Sequence, residues 1–368
     1  MEAAFWRDRR VLVTGHTGFK GSWLALWLRR LGAHVVGYAL DPPTQPSLFE
    51  DARVGTDVTD LRAEIGDGAR IAGVLAEHAI EVVFHLAAQP LVRRSYAAPA
   101  ETFAVNVMGT VQLLDAVRAA PSVRSVVVVT SDKCYENRES IWGYREEDPV
   151  GGHDPYSASK ACAELVTAAY RRSFFREDGR TIGVATVRAG NVLGGGDWAE
   201  DRLVPDLIRA LARHEPPRIR NPRAVRPWQH VLEPLRGYLM VARRLHGQPR
   251  VWDSAWNFGP DASDEVPVAE IVAEVASRWG GSHRIDSATG AAPHEARWLH
   301  LDTSKARRVL GWTPRLDFSS AIEWTVEWYR RVVRDGEDAR EVTLEQIAEY
   351  ESCIRPGMTW SCGIGASS

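Results

Sequence analysis

The run Arg10-Val11-Leu12-Val13-Thr14 passes straight into Gly15-His16-Thr17-Gly18-Phe19-Lys20-Gly21, and an amphipathic stretch from Ser22 to Leu31 follows. No other feature restricts the fold as tightly. An apolar β-rich run reads as a buried strand, and the glycines after it let the backbone turn sharply into a helix. Such a turn leaves backbone N–H groups at a helix N-terminus, where a pyrophosphate can sit. The spacing is Gly-x-x-Gly-x-x-Gly, and in a chain with 30 glycines it gains weight only from its place after Val11-Leu12-Val13. It predicts a dinucleotide site built on Gly15, Gly18, Phe19 and Gly21.

The same alternation continues. Ala33 to Tyr38, Glu81 to Leu86, Arg124 to Thr130 and Thr181 to Val187 read as strands, with helices over Ala100 to Ala119 and Tyr156 to Phe174. Continuous apolar strands alternating with helices predict an α/β fold: a Rossmann-type parallel sheet with helices on both faces. After Gly190 the texture changes. Gly194-Gly195-Gly196, Pro216-Pro217, Pro222 and Pro227 mark loops, and helical patterns recur near 202–213, 232–246, 267–279, 304–310, 318–334 and 343–352. The expected organisation is a dinucleotide-binding domain with the catalytic residues over 1–190 and a smaller, mostly helical substrate-binding part over 191–355. Residues 356–368 are expected to form a disordered tail.

Composition narrows the function. With 368 residues, 45% apolar and 25% charged, the chain can bury a large core. A net charge of −3 gives no basic footprint for nucleic acid. No apolar run approaches the length of a membrane span, and the N-terminus lacks the pattern of a signal peptide. A cytoplasmic location with no membrane partner is expected. Cys134, Cys162, Cys353 and Cys362 lack a Cys-x-x-Cys spacing and read as reduced thiols; the 11 histidines are scattered, so no metal is predicted.

Asp41 lies twenty residues past Gly21, about where an acid would hold the ribose hydroxyls of a dinucleotide. No arginine stands between Arg30 and Arg53 to receive a 2′-phosphate, which favours NAD over NADP. Asp67 is placed to reach the adenine amino group; its other reading is a helix N-cap. Leu86-Ala87-Ala88-Gln89 ends a strand with small residues that permit close approach to a cofactor.

Of 45 basic residues, 41 are Arg and four are Lys: Lys20, Lys133, Lys160 and Lys305. In such a chain the remaining lysines are enriched where a compact ammonium with an adjustable pKa is needed. Tyr156-x-x-x-Lys160 puts both side chains on one helical face. Nine Tyr and four Lys in 368 positions predict about 0.1 such pairs by chance. An ammonium beside a phenol favours the phenolate, a strong positioned base. The Val-rich strand ends in Thr130-Ser131-Asp132-Lys133, where α/β sheets bind ligands, and an adjacent Asp and Lys there can serve as acid and base.

In this order GHTGFKG, HLAAQ, TSDK, YSASK and RAGNVLGGGDW resemble the extended short-chain dehydrogenase/reductases. RNPRAVRPWQHVLEPL, WNFGP and HEARWLHLD extend the similarity to their nucleotide-sugar 4,6-dehydratases, from about residue 5 to 352. The dTDP-glucose enzymes have Thr-Asp-Glu where this chain has Ser131-Asp132-Lys133, a departure that favours the CDP-glucose branch. The resemblance implies internal redox chemistry on one sugar, with bound NAD as cofactor. Tyr156 would take the proton of the 4-hydroxyl, with Lys160 tuning the phenolate and holding the nicotinamide ribose. Ser131 would hydrogen-bond the reacting oxygen. Lys133 would be the base at carbon 5, and Asp132 the acid for the departing 6-hydroxyl. Arg226 is the best candidate for the substrate diphosphate, followed by Asn191, Arg297 and His294. The 14 tryptophans could stack on sugar or base, but core packing is their default role. A homodimer or homotetramer is the usual arrangement of such relatives. Two other readings stay open: a different nucleotide-sugar enzyme such as a 4-epimerase, and a non-catalytic NAD-binding regulator.

Overall fold

The strands are apolar on both sides because both sides are buried. Val11 and Val13 of β1 (Arg10–Thr14) join one core cluster while Leu12 joins another. In β5 (Ser125–Val129), Val127 and Val129 face the first cluster, and Val126 and Val128 the second. Alternate side chains leave a strand on opposite faces, so a central strand needs an unbroken apolar run. The computed structural model describes residues 3–176, 181–219, 222–261, 264–280, 286–287 and 298–353.

Besides β1 and β5, the main sheet contains β2 (His34–Ala39), β3 (Thr59–Arg62), β4 (Val82–His85) and β6 (Gly183–Ala189). A further strand, Ala255–Phe258, pairs with β6 at the edge. All neighbours are parallel, and from one edge to the other the sheet reads Ala255–Phe258, β6, β5, β4, β1, β2, β3. The chain order therefore reverses direction across β1 and β4, with the first glycine turn and the loop after β4 side by side. The predicted Rossmann-type sheet is present. The seventh strand comes from beyond residue 190, where the sequence reading has few long strands.

Helix α1 (Phe19–Arg30) covers one face with Trp23, Leu24 and Trp27. Helices α2 (Gly68–Glu77) and α3 (Gly109–Ala119) cover the other with Ile71, Leu75, Leu113, Leu114 and Val117. A short helix at Pro99–Phe103 and a wider turn at Ala104–Met108 run into α3, which accounts for the single helix expected from Ala100 to Ala119. Helix α4 (Pro155–Ser173) begins with Pro155 at its first turn and is capped by Asp154, which accepts from the Ser157 N–H at 3.0 Å.

Beyond β6, the chain forms β7 (Asn191–Leu193) and β8 (Val225–His230), paired in parallel. Helices follow at Leu203–Ala212, Leu232–Gly247, Val268–Trp279, Phe318–Tyr329 and Ala339–Cys353. They extend the first core cluster with Tyr238, Trp324, Trp328 and Tyr350. Trp6, Trp23, Trp27, Trp256, Trp312, Trp324 and Trp328 are essentially inaccessible, so the default role of tryptophan holds for these. One expectation is corrected. Cys134 and Cys162 are free thiols, as expected, but Cys353 is disulfide-bonded. The tail from Pro356 lies outside the described residues. Among those described, no helix is long and apolar enough to cross a membrane.

Candidate active site

The first glycine turn is held tight by backbone on both sides. Gly15 has φ +74°, and a Cβ there would stand 2.8 Å from the Ala87 amide nitrogen. A Cβ at Gly21 would overlap the Gly15 carbonyl oxygen. Neither contact involves a side chain that could move aside, so only glycine keeps the turn closed. Gly18 caps α1 without a side-chain hydrogen bond, which leaves first-turn N–H groups for an anion. Thr14 Oγ1 accepts from the N–H groups of Leu86 and Ala87, each at 3.1 Å, and so ties the loop after β4 to the turn. Ala88 continues that loop. Phe19 packs against the core, its ring within 3.0 Å of where a Cβ at Gly194 would be. This cradle fits the diphosphate of NAD.

Asp41 follows β2, and its side chain is 92% exposed. Because Ala39 pairs with Arg62 in β3, Arg62 reaches it: Nη1 donates to Asp41 at 3.4 Å and Nη2 to Asp60 at 2.8 Å. Arg62 lies outside the stretch from Arg30 to Arg53 and meets Asp41 only through the pairing of β2 with β3. Asp67 is the N-cap of α2, where Oδ1 accepts from the Arg70 N–H at 2.9 Å.

Three segments converge at the carboxyl end of the sheet. The first is the single tight turn Asp132–Cys134, reached directly from β5. Ser131 Oγ donates to Asp132 Oδ1 at 2.8 Å, and the Lys133 N–H donates to the same oxygen at 2.9 Å. Asp132 is buried, and burial pushes its carboxyl up, against the pull of Lys133, Ser131 and Arg226. A carboxyl held up in this way can carry a proton to donate. The Lys133 side chain is half-buried.

The second segment is the first two turns of α4. Tyr156 is buried, and burial raises its phenol to about 12, opposed by its hydrogen bond with Ser131. Lys160 is buried too; desolvation lowers it to about 8, while Cys134 and Glu164 favour its charged form. Its Nζ donates to the Val129 carbonyl at 3.2 Å. The expectation that Lys160 depresses the phenol is not met in this arrangement. The ammonium faces a backbone carbonyl, and burial governs the phenol. Lys20, in the first turn of α1, faces the same centre. Burial lowers it to about 8, followed by Arg202 and Lys160, with Asp132 opposing. In sequence, Lys20 stands out only as one of four lysines.

The third segment is the exit of β6 and the strand beside it. A Cβ at Gly190 would lie 2.9 Å from Pro227 and 3.2 Å from Asp132 Oδ2, so the glycine lets these elements close on the acid. Asn191 opens β7 opposite Trp228, and the buried Arg226 lies in β8 beside Pro227. Ser131, Asp132, Tyr156, Lys160, Asn191 and Arg226 thus surround one end of the sheet. His294 and Arg297 lie outside the described residues.

Residues 12–325 match the family model described as GDP-mannose 4,6 dehydratase. The chain is 50% identical over 353 residues to the CDP-glucose 4,6-dehydratase of Salmonella typhimurium, covering 95% of this chain and 98% of that one. It is 29% identical to a dTDP-glucose 4,6-dehydratase of Xanthomonas campestris, over 86% of this chain and 92% of the relative. Among solved structures it resembles DesIV, a dTDP-glucose 4,6-dehydratase from Streptomyces venezuelae with NAD bound. That match has 26% identity and a TM-score of 0.73, covering 88% of this chain and 97% of the other. A complex of MoeE5 with UDP-glucose and NAD matches at 28% identity and a TM-score of 0.75, covering 88% and 99%.

Proposed function

The chain belongs to the GDP-mannose 4,6-dehydratase family, and from that premise we propose that it converts CDP-D-glucose to CDP-4-keto-6-deoxy-D-glucose and water. It is an NAD-dependent hydro-lyase. The observation that carries the choice of nucleotide is the 50% identity, over nearly the whole of both chains, to a CDP-glucose enzyme. NAD, held at the Gly15, Gly18 and Gly21 turn and by Lys160, would supply reversible hydride acceptance for carbons 4 and 6 of the sugar.

The protein's own groups supply the rest. Tyr156 Oη takes the proton of the 4-hydroxyl, and Ser131 Oγ hydrogen-bonds the same oxygen as it becomes a ketone. The ketone acidifies carbon 5. Lys133 Nζ removes the carbon-5 proton, and Asp132 gives its proton to the departing 6-hydroxyl, which leaves as water. Lys133 then returns a proton to carbon 5. The raised Asp132 carboxyl supports the acid role, because a carboxylate at the ordinary value would be ionised near neutral pH. Lys160 holds the nicotinamide ribose. Gly15, Gly18 and Gly21 admit the dinucleotide diphosphate, and Asp41 and Asp67 face its adenosine end. Arg226 and Asn191, with Arg297 and His294, hold the substrate diphosphate.

A 4-epimerase is the second reading, since it shares Tyr156 and Lys160. The Asp132–Lys133 pair favours dehydration, because epimerisation needs no acid and base at carbons 5 and 6. Incubation with CDP-glucose, dTDP-glucose, UDP-glucose and GDP-mannose in turn separates the readings. CDP-glucose should be turned over fastest, with a product lighter by one water. Equal turnover of all four, or a product of unchanged mass, would overturn the assignment.

The reading extends to a homo-oligomer in the cytoplasm, where nucleotide sugars and NAD are made. Exposed Tyr96, Met108 and Leu165, on helices flanking one side of the sheet, support self-association. Light scattering would read a monomeric mass if this extension is wrong.

A further inference from the structure

Beneath the site lies a buried ion pair that the chemistry above does not use. Arg188 of β6 and Glu164 of α4 have side chains 3% and 4% exposed. Arg188 Nε donates to Glu164 Oε1 at 2.8 Å, and Nη2 donates to Oε2 at 2.9 Å. The carboxylate also accepts from Thr130 Oγ1 at 2.5 Å and from Thr186 Oγ1 at 2.7 Å. On its other side, Arg188 Nη1 donates to Tyr135 Oη at 2.5 Å and to the Glu146 carbonyl at 3.2 Å. Tyr135 Oη in turn donates to Asn257 Oδ1 at 2.8 Å.

The placing of these partners is informative. Thr130 immediately precedes Ser131, Asp132 and Lys133. Tyr135 closes the same segment at its far end. Glu164 lies one helical turn beyond Lys160, on the same face of α4. Arg188 lies two residues before the Gly190 that closes on Asp132. One carboxylate is thus bonded to each element that carries the proposed acid, bases and phenol. A buried ion pair is weak evidence for stability, since an apolar replacement is often neutral or better. What a bidentate pair with every acceptor site filled does provide is fixed geometry.

We propose that Glu164, clamped by Arg188, is a positioning residue that sets the Ser131–Lys133 segment, through Thr130, against the helix bearing Tyr156 and Lys160. The proposal rests on the dehydratase reading. Its second consequence is electrostatic. Lys20 from α1, His85 from β4 and Cys134 from the tight turn all face Lys160, with Tyr156 on its own helix. Burial holds His85 neutral, at about 3, and pushes the Cys134 thiol up. Among the groups acting on Lys160, Glu164 therefore supplies the negative charge, partly offset by Arg188.

Thr130→Val removes one hydroxyl and leaves the ion pair in place. It should lower kcat by about 10-fold or more with KM for CDP-glucose little changed, because small misplacements near reacting groups are costly. Thr130→Ser should restore turnover. Thr186→Val removes a bond to the same carboxylate from the strand side; it should lower the melting temperature and leave kcat near that of the unmodified enzyme. Glu164→Gln should move the alkaline limb of kcat to lower pH, because Lys160 then loses its charge more readily. Equal kcat losses in Thr130→Val and Thr186→Val, or an unmoved alkaline limb in a folded Glu164→Gln protein, would overturn the proposal. If Glu164→Gln does not fold, the threonine variants decide the matter. An unmodified enzyme that forms no 4-keto product would instead defeat the dehydratase reading itself.

Discussion

Replacing Tyr156 with phenylalanine is expected to lower turnover of CDP-glucose by about 10²–10⁴-fold while leaving substrate binding largely intact. The ring sits at the start of α4, buried and held by a helix with Pro155 at its first turn and Asp154 as its cap. Phenylalanine fills the same space, so the change removes one hydroxyl and little packing. That hydroxyl is the group bonded to Ser131 and facing Asp132. Without it the 4-hydroxyl has no acceptor for its proton, and oxidation of carbon 4 stops before any absorbance of reduced nicotinamide develops. Steady-state kinetics, with calorimetry of CDP-glucose binding, checks both halves. Near-normal turnover would place the first base elsewhere.

Lys133→Met is expected to lower formation of the dehydrated sugar by about 10²-fold or more, at a different step. Oxidation at carbon 4 and elimination across carbons 5 and 6 need separate bases. Methionine keeps most of the side chain's length and apolar stem but cannot take a proton. The turn holding position 133 is built from backbone contacts, with its N–H bonded to Ser131 Oγ at 3.2 Å and Asp132 Oδ1 at 2.9 Å. Those contacts survive the substitution. On rapid mixing with CDP-glucose the variant should therefore show a burst of reduced-nicotinamide absorbance that does not decay. The sugar should take up no deuterium at carbon 5 from heavy water. A chain that uses Arg at 41 of its 45 basic positions keeps Lys here, and Arg cannot readily be deprotonated. Elimination at a near-normal rate would assign Lys133 to orienting Asp132.

Much of the fold was legible because its strands are buried on both faces. Val126 to Val129 could only be a central strand, and the glycine turn after β1 could only be a close approach of backbones. The edges were harder. Thr59–Arg62 is polar and half-exposed, so it carries no apolar signal of a strand. Ala255–Phe258 is four residues long and reaches the sheet only because β6 has an open side. At the site, local spacing placed Tyr156 and Lys160 on one helix and Ser131 to Lys133 on one turn. Partners distant in sequence were invisible to it. Arg62 meets Asp41 only through the register of β2 against β3, and Glu164 meets Arg188 and Thr130 only through packing of α4 on the sheet. The upward shift of the Tyr156 phenol escapes sequence spacing for a similar reason. Sequence spacing shows that Lys160 is near, but not that its ammonium turns to the Val129 carbonyl.

The most direct test of internal redox chemistry follows one hydrogen. CDP-glucose carrying deuterium at carbon 4 is incubated with the purified enzyme and catalytic NAD in ordinary water, and the product is read by mass spectrometry and NMR. The expected product has lost one water and carries the deuterium at carbon 6, with NAD unchanged in amount. Deuterium lost to solvent, deuterium retained at carbon 4, or one NAD consumed per sugar would contradict the account.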